Sequence, residues 1–342
     1  MYLFLSLILK YHKKLIKLNF SYALILLVLI LNSQLKAQQL IEFTAKSGDG
    51  IHRILQKHNI NTNEYYKAFI QLNKGKLIKG NQLVIGKTYT LPQKKKNKKT
   101  NYYTIFGEKY GKINPSDNRL KGAVYYVVSG HGGPDPGAVG KRNGHILTED
   151  EYAYDISLRL ARELIKHGAT VYVIVRDSDD GIRDNAYLKN DKHETVWKDK
   201  KIPLNLNKKL RQRTQVINQL YRKNKGHYQR LMVLHIDSRS INERVDVFGY
   251  YNSKSKPGKL FTERLISSLK TNYKKYQPKR MFDGISKSRD GLYMLKYTHP
   301  VTAYLELGNI QNTKDQLRFI KSSNRQVLAE WLAQGCLNDY DK

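Results

Sequence analysis

Four apolar runs punctuate the chain after residue 120: VYYVVS (124–129), TVYVIV (170–175), LMVLHI (231–236) and TAYLEL (302–307). They are rich in β-branched and aromatic residues and show no polar alternation, which predicts strands buried on both faces. Between them the apolar spacing becomes helical. Ala153, Ile156, Leu160 and Leu164 mark one face of residues 149–167, and Gly168 follows as a stop signal. Similar stripes predict helices near 208–222, 258–275 and 312–334. Strands alternating with helices predict an α/β fold over residues 104–338, a mostly parallel sheet with helices on both faces.

The region before residue 104 reads differently. Residues 43–92 predict the order strand, helix, helix, strand. FTAK leads into a Ser-Gly-Asp-Gly turn, Ile51, Ile54 and Leu55 form one helical stripe, and Tyr66, Phe69 and Leu72 form a second behind an Asn61-Thr62-Asn63 cap. TYTLP closes the unit. This βααβ unit resembles a LysM module, which implies binding to the N-acetylglucosamine backbone of peptidoglycan. The match is loose, with Gly50 where Thr is usual and a lengthened Leu72–Ile85 section. QKKKNKKTN opens a basic linker over 93–103. At the other end, lysines 10 to 17 precede the apolar run ALILLVLIL (23–31) and then Leu35-Lys36-Ala37. The run is too short to span a bilayer comfortably. It reads as a signal peptide over 1–37, so the protein is expected to be exported, periplasmic or cell-wall associated.

Charge narrows the partners. The chain of 342 residues carries 61 basic and 29 acidic residues, a formal net charge of +32. Removing residues 1–37 takes away five lysines and leaves +27. Such a charge suits a polyanion, and export disfavours nucleic acid in that role. Cys336 is the single cysteine, so neither an intrachain disulfide nor a cysteine-rich zinc site can form. It also lies outside any lipoprotein signal, and no stable membrane anchor is expected after signal cleavage.

The loop after the first strand is VVSGHGGPDPGAVG (127–140). It is not a Walker loop, since Asp135 stands at the first glycine position and Arg142 replaces Ser or Thr. It is not a dinucleotide loop either, because Asp135 stands where the third glycine belongs. Sites in open α/β sheets form beyond the carboxyl ends of the strands. Those ends offer His131, His235 and Glu306, and the helix after the loop opens with Glu149 and Glu151. Two histidines and a carboxylate can hold Zn²⁺ with one position open, and a second carboxylate can take a proton from water. Thr148 and Glu151 have capping-box spacing, which assigns Glu151 to the cap and leaves Glu149 as the better ligand. His145 is a competing ligand. By spacing alone, a metal site and a plain hydrogen-bonded scaffold remain equally open.

A resemblance separates them. GHGGPDPGAVG, LTEDEYAYDISLRL, VLHIDS and LYMLKYTHPVTAYLELGNIQNTKDQ occur in that order. Together they are similar to the type 3 N-acetylmuramoyl-L-alanine amidase family over roughly Val124 to Ile320. The resemblance implies a zinc enzyme that cleaves the amide between N-acetylmuramic acid and L-alanine in peptidoglycan. It implies His131, Glu149 and His235 as metal ligands, Glu306 as catalytic base, Arg213 as structural and Arg289 as substrate-binding. The chain departs from the family at Val128-Ser129 before the loop and at Ile236-Asp237 after the second histidine, where Asp237 could orient an imidazole. The charged segment 179–207 reads as a surface insertion. Peptidoglycan and an activator protein are the expected partners. A non-catalytic wall-binding protein and a zinc peptidase cutting within the stem peptide are the alternatives.

Overall fold

The computed structural model describes residues 41–58, 60, 62–92 and 101–342. The expected signal peptide, Asn61 of the expected cap and residues 93–100 of the expected linker lie outside the described residues. The chain forms two compact units that divide between Asn97 and Lys98.

In the first unit, β1 (Glu42–Thr44), α1 (Ile51–Lys57), α2 (Thr62–Leu72) and β2 (Thr88–Thr90) follow one another. β1 and β2 pair antiparallel, with Glu42 opposite Thr90. Ile51, Ile54 and Leu55 pack inward as their spacing requires. The second stripe is displaced, with Tyr65 and Phe69 buried and Leu72 51% exposed. The cause lies one residue on. Asn73 turns inward, donates to the carbonyls of Phe69 and Thr90 at 2.9 and 2.8 Å, and accepts the Thr90 N–H at 2.8 Å. That polar plug fastens the end of α2 to β2 and turns Leu72 out.

The second unit is built on a six-stranded sheet. Its strands are β3 (Ala123–Ser129), β4 (Thr170–Val173), β5 (Tyr228–Asp237), β6 (Phe248–Tyr251), β7 (Ile285–Ser288) and β8 (Val301–Asn309). The spatial order is β7-β6-β8-β5-β3-β4. β8, β5, β3 and β4 are mutually parallel, and β6 runs antiparallel to β8. The main helices are α3 (Glu149–Lys166), α4 (Leu206–Lys223), α5 (Lys256–Tyr276), α6 (Thr313–Ile320) and α7 (Ser322–Tyr340). Tyr152 and Ile156 of α3, Phe261 and Leu265 of α5 and Leu328 of α7 pack on one face, over Tyr125, Val127, Met232 and Leu305. Val216, Ile217 and Leu220 of α4 cover the other face, over Tyr126, Leu231 and Val233. The mostly parallel sheet with helices on both sides is therefore observed.

Three expectations change. The run 170–175 splits after Val173, and Val175–Arg176 pairs instead with Thr195–Val196 in a small separate sheet. The helix expected over 312–334 is two helices, broken where Lys321 turns extended (φ −90°, ψ 113°). The segment 179–207 is not a surface insertion. It contributes the strands Thr195–Val196 and Lys200–Lys201 and buries Leu188, Glu194, Val196 and Ile202.

The first turns of α3 are enclosed on all sides, with every residue from Glu149 to Ala161 buried. Charges survive there because they are paired. Asp155 accepts from Arg159 at 2.7 Å and from the fully buried Arg325 of α7 at 2.6 Å.

Candidate metal centre

Strand register builds the site. His235 lies directly opposite Glu306 on the parallel neighbours β5 and β8, and Leu234 lies opposite Ser129 on β3. The N–H of Gly130 donates to the Leu234 carbonyl at 2.7 Å and holds the chain against β5 as it leaves the carboxyl end of β3. His131 then adopts a left-handed backbone (φ 58°), a strained choice for a residue with a side chain. Pairing of the Gly132 N–H with the Asp135 carbonyl at 2.8 Å closes the turn. The returning loop meets the start of α3, where the Glu149 N–H donates to Ala138 at 2.9 Å. Two glycines make the fit possible. A Cβ at Gly130 would lie 2.4 Å from the His235 ring, and one at Gly137 would lie 2.6 Å from Glu149 Oε2.

His131, Glu149 and His235 converge, each offering one ligand atom within 4.8 Å of the others. Glu149 Oε2 lies 3.2 Å from His131 Nε2, and Glu149 Oε1 lies 2.7 Å from His235 Nδ1. The rings stand nearly perpendicular, 5.1 Å apart. Burial opposes the Glu149 charge. The His235 hydrogen bond, both imidazoles and the Ala138 N–H nevertheless hold the carboxyl below its usual range. Burial pushes His235 down, against the pull of Glu149, and this favours the neutral imidazole that ligates metal. Two imidazoles and a buried carboxylate at the edge of an open cavity are a donor set that fits a divalent ion such as zinc.

The surrounding shell is dense. His131 Nδ1 meets Asp135 Oδ2 at 2.9 Å. Lys209 of α4 grips the same carboxylate, and the Gly137 N–H donates to its other oxygen at 3.1 Å. The hydrogen bond to His131 holds the Asp135 carboxyl well below its usual range despite partial burial, helped by Lys209. The buried Arg213 donates to the His131 carbonyl, which accords with the structural role expected of it. Tyr304 stacks on His235, ring centres 4.7 Å apart and 15° from parallel. Sequence reasoning passed over Asp135 and Lys209. Asp135 sits four residues after His131 in a tight loop, and that spacing was the available signal.

Glu306 lines the same cavity of about 400 Å³ as His131, Glu149 and His235, with Leu206, Leu210 and Met294 as apolar wall. It is buried, and its Oε2 has no hydrogen-bond partner among the described residues. Burial first, then the charges of Glu149 and Asp237, push its carboxyl well above the usual range, and Arg289 and Arg239 pull it partly back. Arg289 is exposed, its guanidinium 5.1 Å from the Tyr250 ring centre.

Three readings of the neighbouring residues are corrected. Thr148 is the N-cap of α3 but makes no side-chain cap bond. Glu151 is drawn away to Arg183 at 2.8 Å and to the Asp191 N–H at 2.9 Å, so no capping box forms. Asp237 orients no imidazole, because Arg239 at 2.6 Å and the Ser238 N–H occupy it. His145 stands outside the group and stacks on Tyr187, ring centres 3.8 Å apart.

Residues 126–338 match the family described as N-acetylmuramoyl-L-alanine amidase. No curated protein matches the chain. Among solved structures, it is similar to an N-acetylmuramoyl-L-alanine amidase from Clostridium difficile 630, at 19% identity and TM-score 0.46, covering 64% of this chain and 97% of the other. It is also similar to the CwlD amidase of Clostridioides difficile, solved with the GerS lipoprotein, at 20% identity and TM-score 0.48, covering 64% and 98%. The Ami1 amidase of Mycobacterium smegmatis is 15% identical with TM-score 0.47, covering 65% and 98%.

Proposed function

The chain belongs to the N-acetylmuramoyl-L-alanine amidase family, and from that premise we propose that it hydrolyses the amide between N-acetylmuramic acid and L-alanine with zinc held by His131, Glu149 and His235. The observation that carries the proposal is the convergence of those three donors beside the buried Oε2 of Glu306, which has no hydrogen-bond partner among the described residues. Bound zinc supplies Lewis acidity for a carbonyl oxygen and makes water acidic near neutral pH. Every other contribution comes from the chain. Asp135 and Lys209 fix the His131 ring so that Nε2 faces the cavity. Glu306 takes a proton from the attacking water and delivers it to the departing alanine nitrogen. The raised affinity of Glu306 for a proton arises partly from the Glu149 charge, which a divalent cation offsets. The apolar wall of Leu206, Leu210 and Met294 limits the water around the reacting bond. Arg289, exposed and with its charge felt at Glu306, is suited to a stem-peptide carboxylate, and the βααβ unit to the glycan strand. Basic charge favours the anionic wall of an exported protein.

The test is Glu306→Gln. We expect a folded protein with unchanged zinc content whose release of peptides from purified sacculi falls about 10²- to 10⁴-fold. Full activity refutes the assigned base. Mass spectrometry of the wild-type products decides the bond: intact stem peptides beginning with L-alanine support the amidase, and shortened stems point to a peptidase.

A further inference from the structure

The chain has 29 acidic residues against 61 basic ones, yet six carboxylates gather in one place outside the site just described. Asp150 and Glu151 come from the first turn of α3. Asp177 and Asp180 come from the stretch after Arg176, and Asp191 and Glu194 from the approach to Thr195–Val196. Asp150, Glu151 and Glu194 bring carboxylate oxygens within 4.8 Å of one another, and so do Asp177, Asp191 and Glu194. Glu194 is common to both groups. Asp150, Glu151, Asp177 and Glu194 are buried. The guanidinium of Arg183 is divided between Glu151 and Asp180, and the exposed His193 ring lies 3.8 Å from Asp191. Asp150 is 1% exposed, and although its Oδ1 accepts the Glu151 N–H at 2.9 Å, its Oδ2 has no hydrogen-bond partner among the described residues. A buried carboxylate oxygen left bare among other carboxylates costs several kcal/mol unless a positive charge joins it.

We propose that the carboxylates around Glu194 bind a divalent cation of the calcium class, separate from the site of His131, Glu149 and His235. The donors are all oxygen, without the imidazole or thiolate that favours a transition metal. Calcium takes six to eight such oxygens in irregular geometry, whereas magnesium keeps several waters and seldom accepts an all-protein cage. The position gives the ion a task. Glu194 Oε2 accepts the Gly133 N–H at 2.7 Å, within the His131 loop, and Asp150 directly follows Glu149. The ion therefore fastens the 177–194 stretch to the loop and the helix turn that carry two of the three zinc donors.

The experiment uses the full chain stripped of metal and reloaded with one equivalent of zinc. Calcium is added during calorimetry and thermal melting, and bound metals are counted by elemental analysis. Terbium serves as a luminescent substitute, since the Tyr154 hydroxyl accepts the Asp177 N–H at 2.9 Å and places a sensitising ring nearby. The expected result is one calcium per chain beside the zinc, with a melting temperature raised by about 5 °C or more near saturation. In Glu194→Gln the calcium affinity should fall at least tenfold while zinc stays at one per chain. Wild-type protein that binds no calcium, or a Glu194→Gln protein that binds it as tightly, overturns the proposal. If that variant does not fold, the half-buried Asp191→Asn carries the same comparison, and unchanged calcium affinity there also overturns it. None of these readouts depends on hydrolysis, so they stand apart from the identity of the bond cleaved.

Discussion

At the scale of single residues, the site depends on groups that hold the ligands as much as on the ligands. His131 can point Nε2 at Glu149 because Asp135 takes its other nitrogen and Lys209 and Gly137 steady Asp135. Removing that support should loosen the metal without deleting a ligand. Asp135→Asn is expected to weaken zinc affinity about 10- to 100-fold, measured by competition with a chromogenic chelator. Unchanged affinity would reduce Asp135 to loop scaffolding. This layer was poorly legible in the sequence. His131, His235 and Glu306 announced themselves as polar residues at the ends of apolar runs. Asp135 read as an ordinary turn residue, and Lys209 lies 74 positions away from it. Glu151 was misjudged for the same reason, since a local cap competes with Arg183, 32 positions on, and burial strengthens the ion pair.

At the scale of elements, the apolar runs identified the central strands because a strand buried on both faces leaves little room for polar residues. The edge strand β7 and its neighbour β6 escaped notice, since ISKS and FGYY are short and carry no such run. The periodicity of α3 promised one buried stripe and one solvated face, yet its first turns are wrapped completely. The polar face is satisfied by partners from distant segments, which no periodicity can reveal. Asp155, Arg159 and Arg325 form the buried centre of that arrangement. Arg325→Met would leave Asp155 with Arg159 and the Arg183 N–H, and would release the Phe319 and Asn185 carbonyls that Arg325 now bonds. A loss of about 3–5 kcal/mol is expected, read from urea unfolding of the variant against wild type. A loss below about 1 kcal/mol would mean that the pair is dispensable.

At the scale of the whole molecule, a net charge of +32 makes any concentration of negative charge conspicuous. The carboxylates around Glu194 should shape stability as well as bind a cation. Burial, with the charges of Glu151 and Asp177 adding to it and the Gly133 N–H opposing it, raises the Glu194 carboxyl from 4.5 to about 7. Between those values the folded protein keeps a proton that the unfolded chain has released. Stability of calcium-free protein should therefore fall as pH rises through that interval, by a few kcal/mol at most from Glu194, and burial, which raises Asp150 to about 8, extends the fall. Urea midpoints at about pH 5 and about pH 7.5 measure the slope, and Glu194→Gln should flatten it. An equal slope in the variant would assign the effect to other groups.

The pairing of His235 with Glu306 across β5 and β8 carries a last consequence. The two residues sit on strands far apart in the chain and become neighbours only when those strands are zipped in one register. A slip of a single residue in either strand turns that strand's side chain to the opposite face of the sheet and parts the pair. An unfolded or half-folded chain thus has no Glu306 beside the donors proposed to hold the metal, however many of its loops have formed. For a peptidoglycan amidase, such dependence is a form of latency. The chain stays harmless until it completes its sheet, and becomes a hydrolase only then.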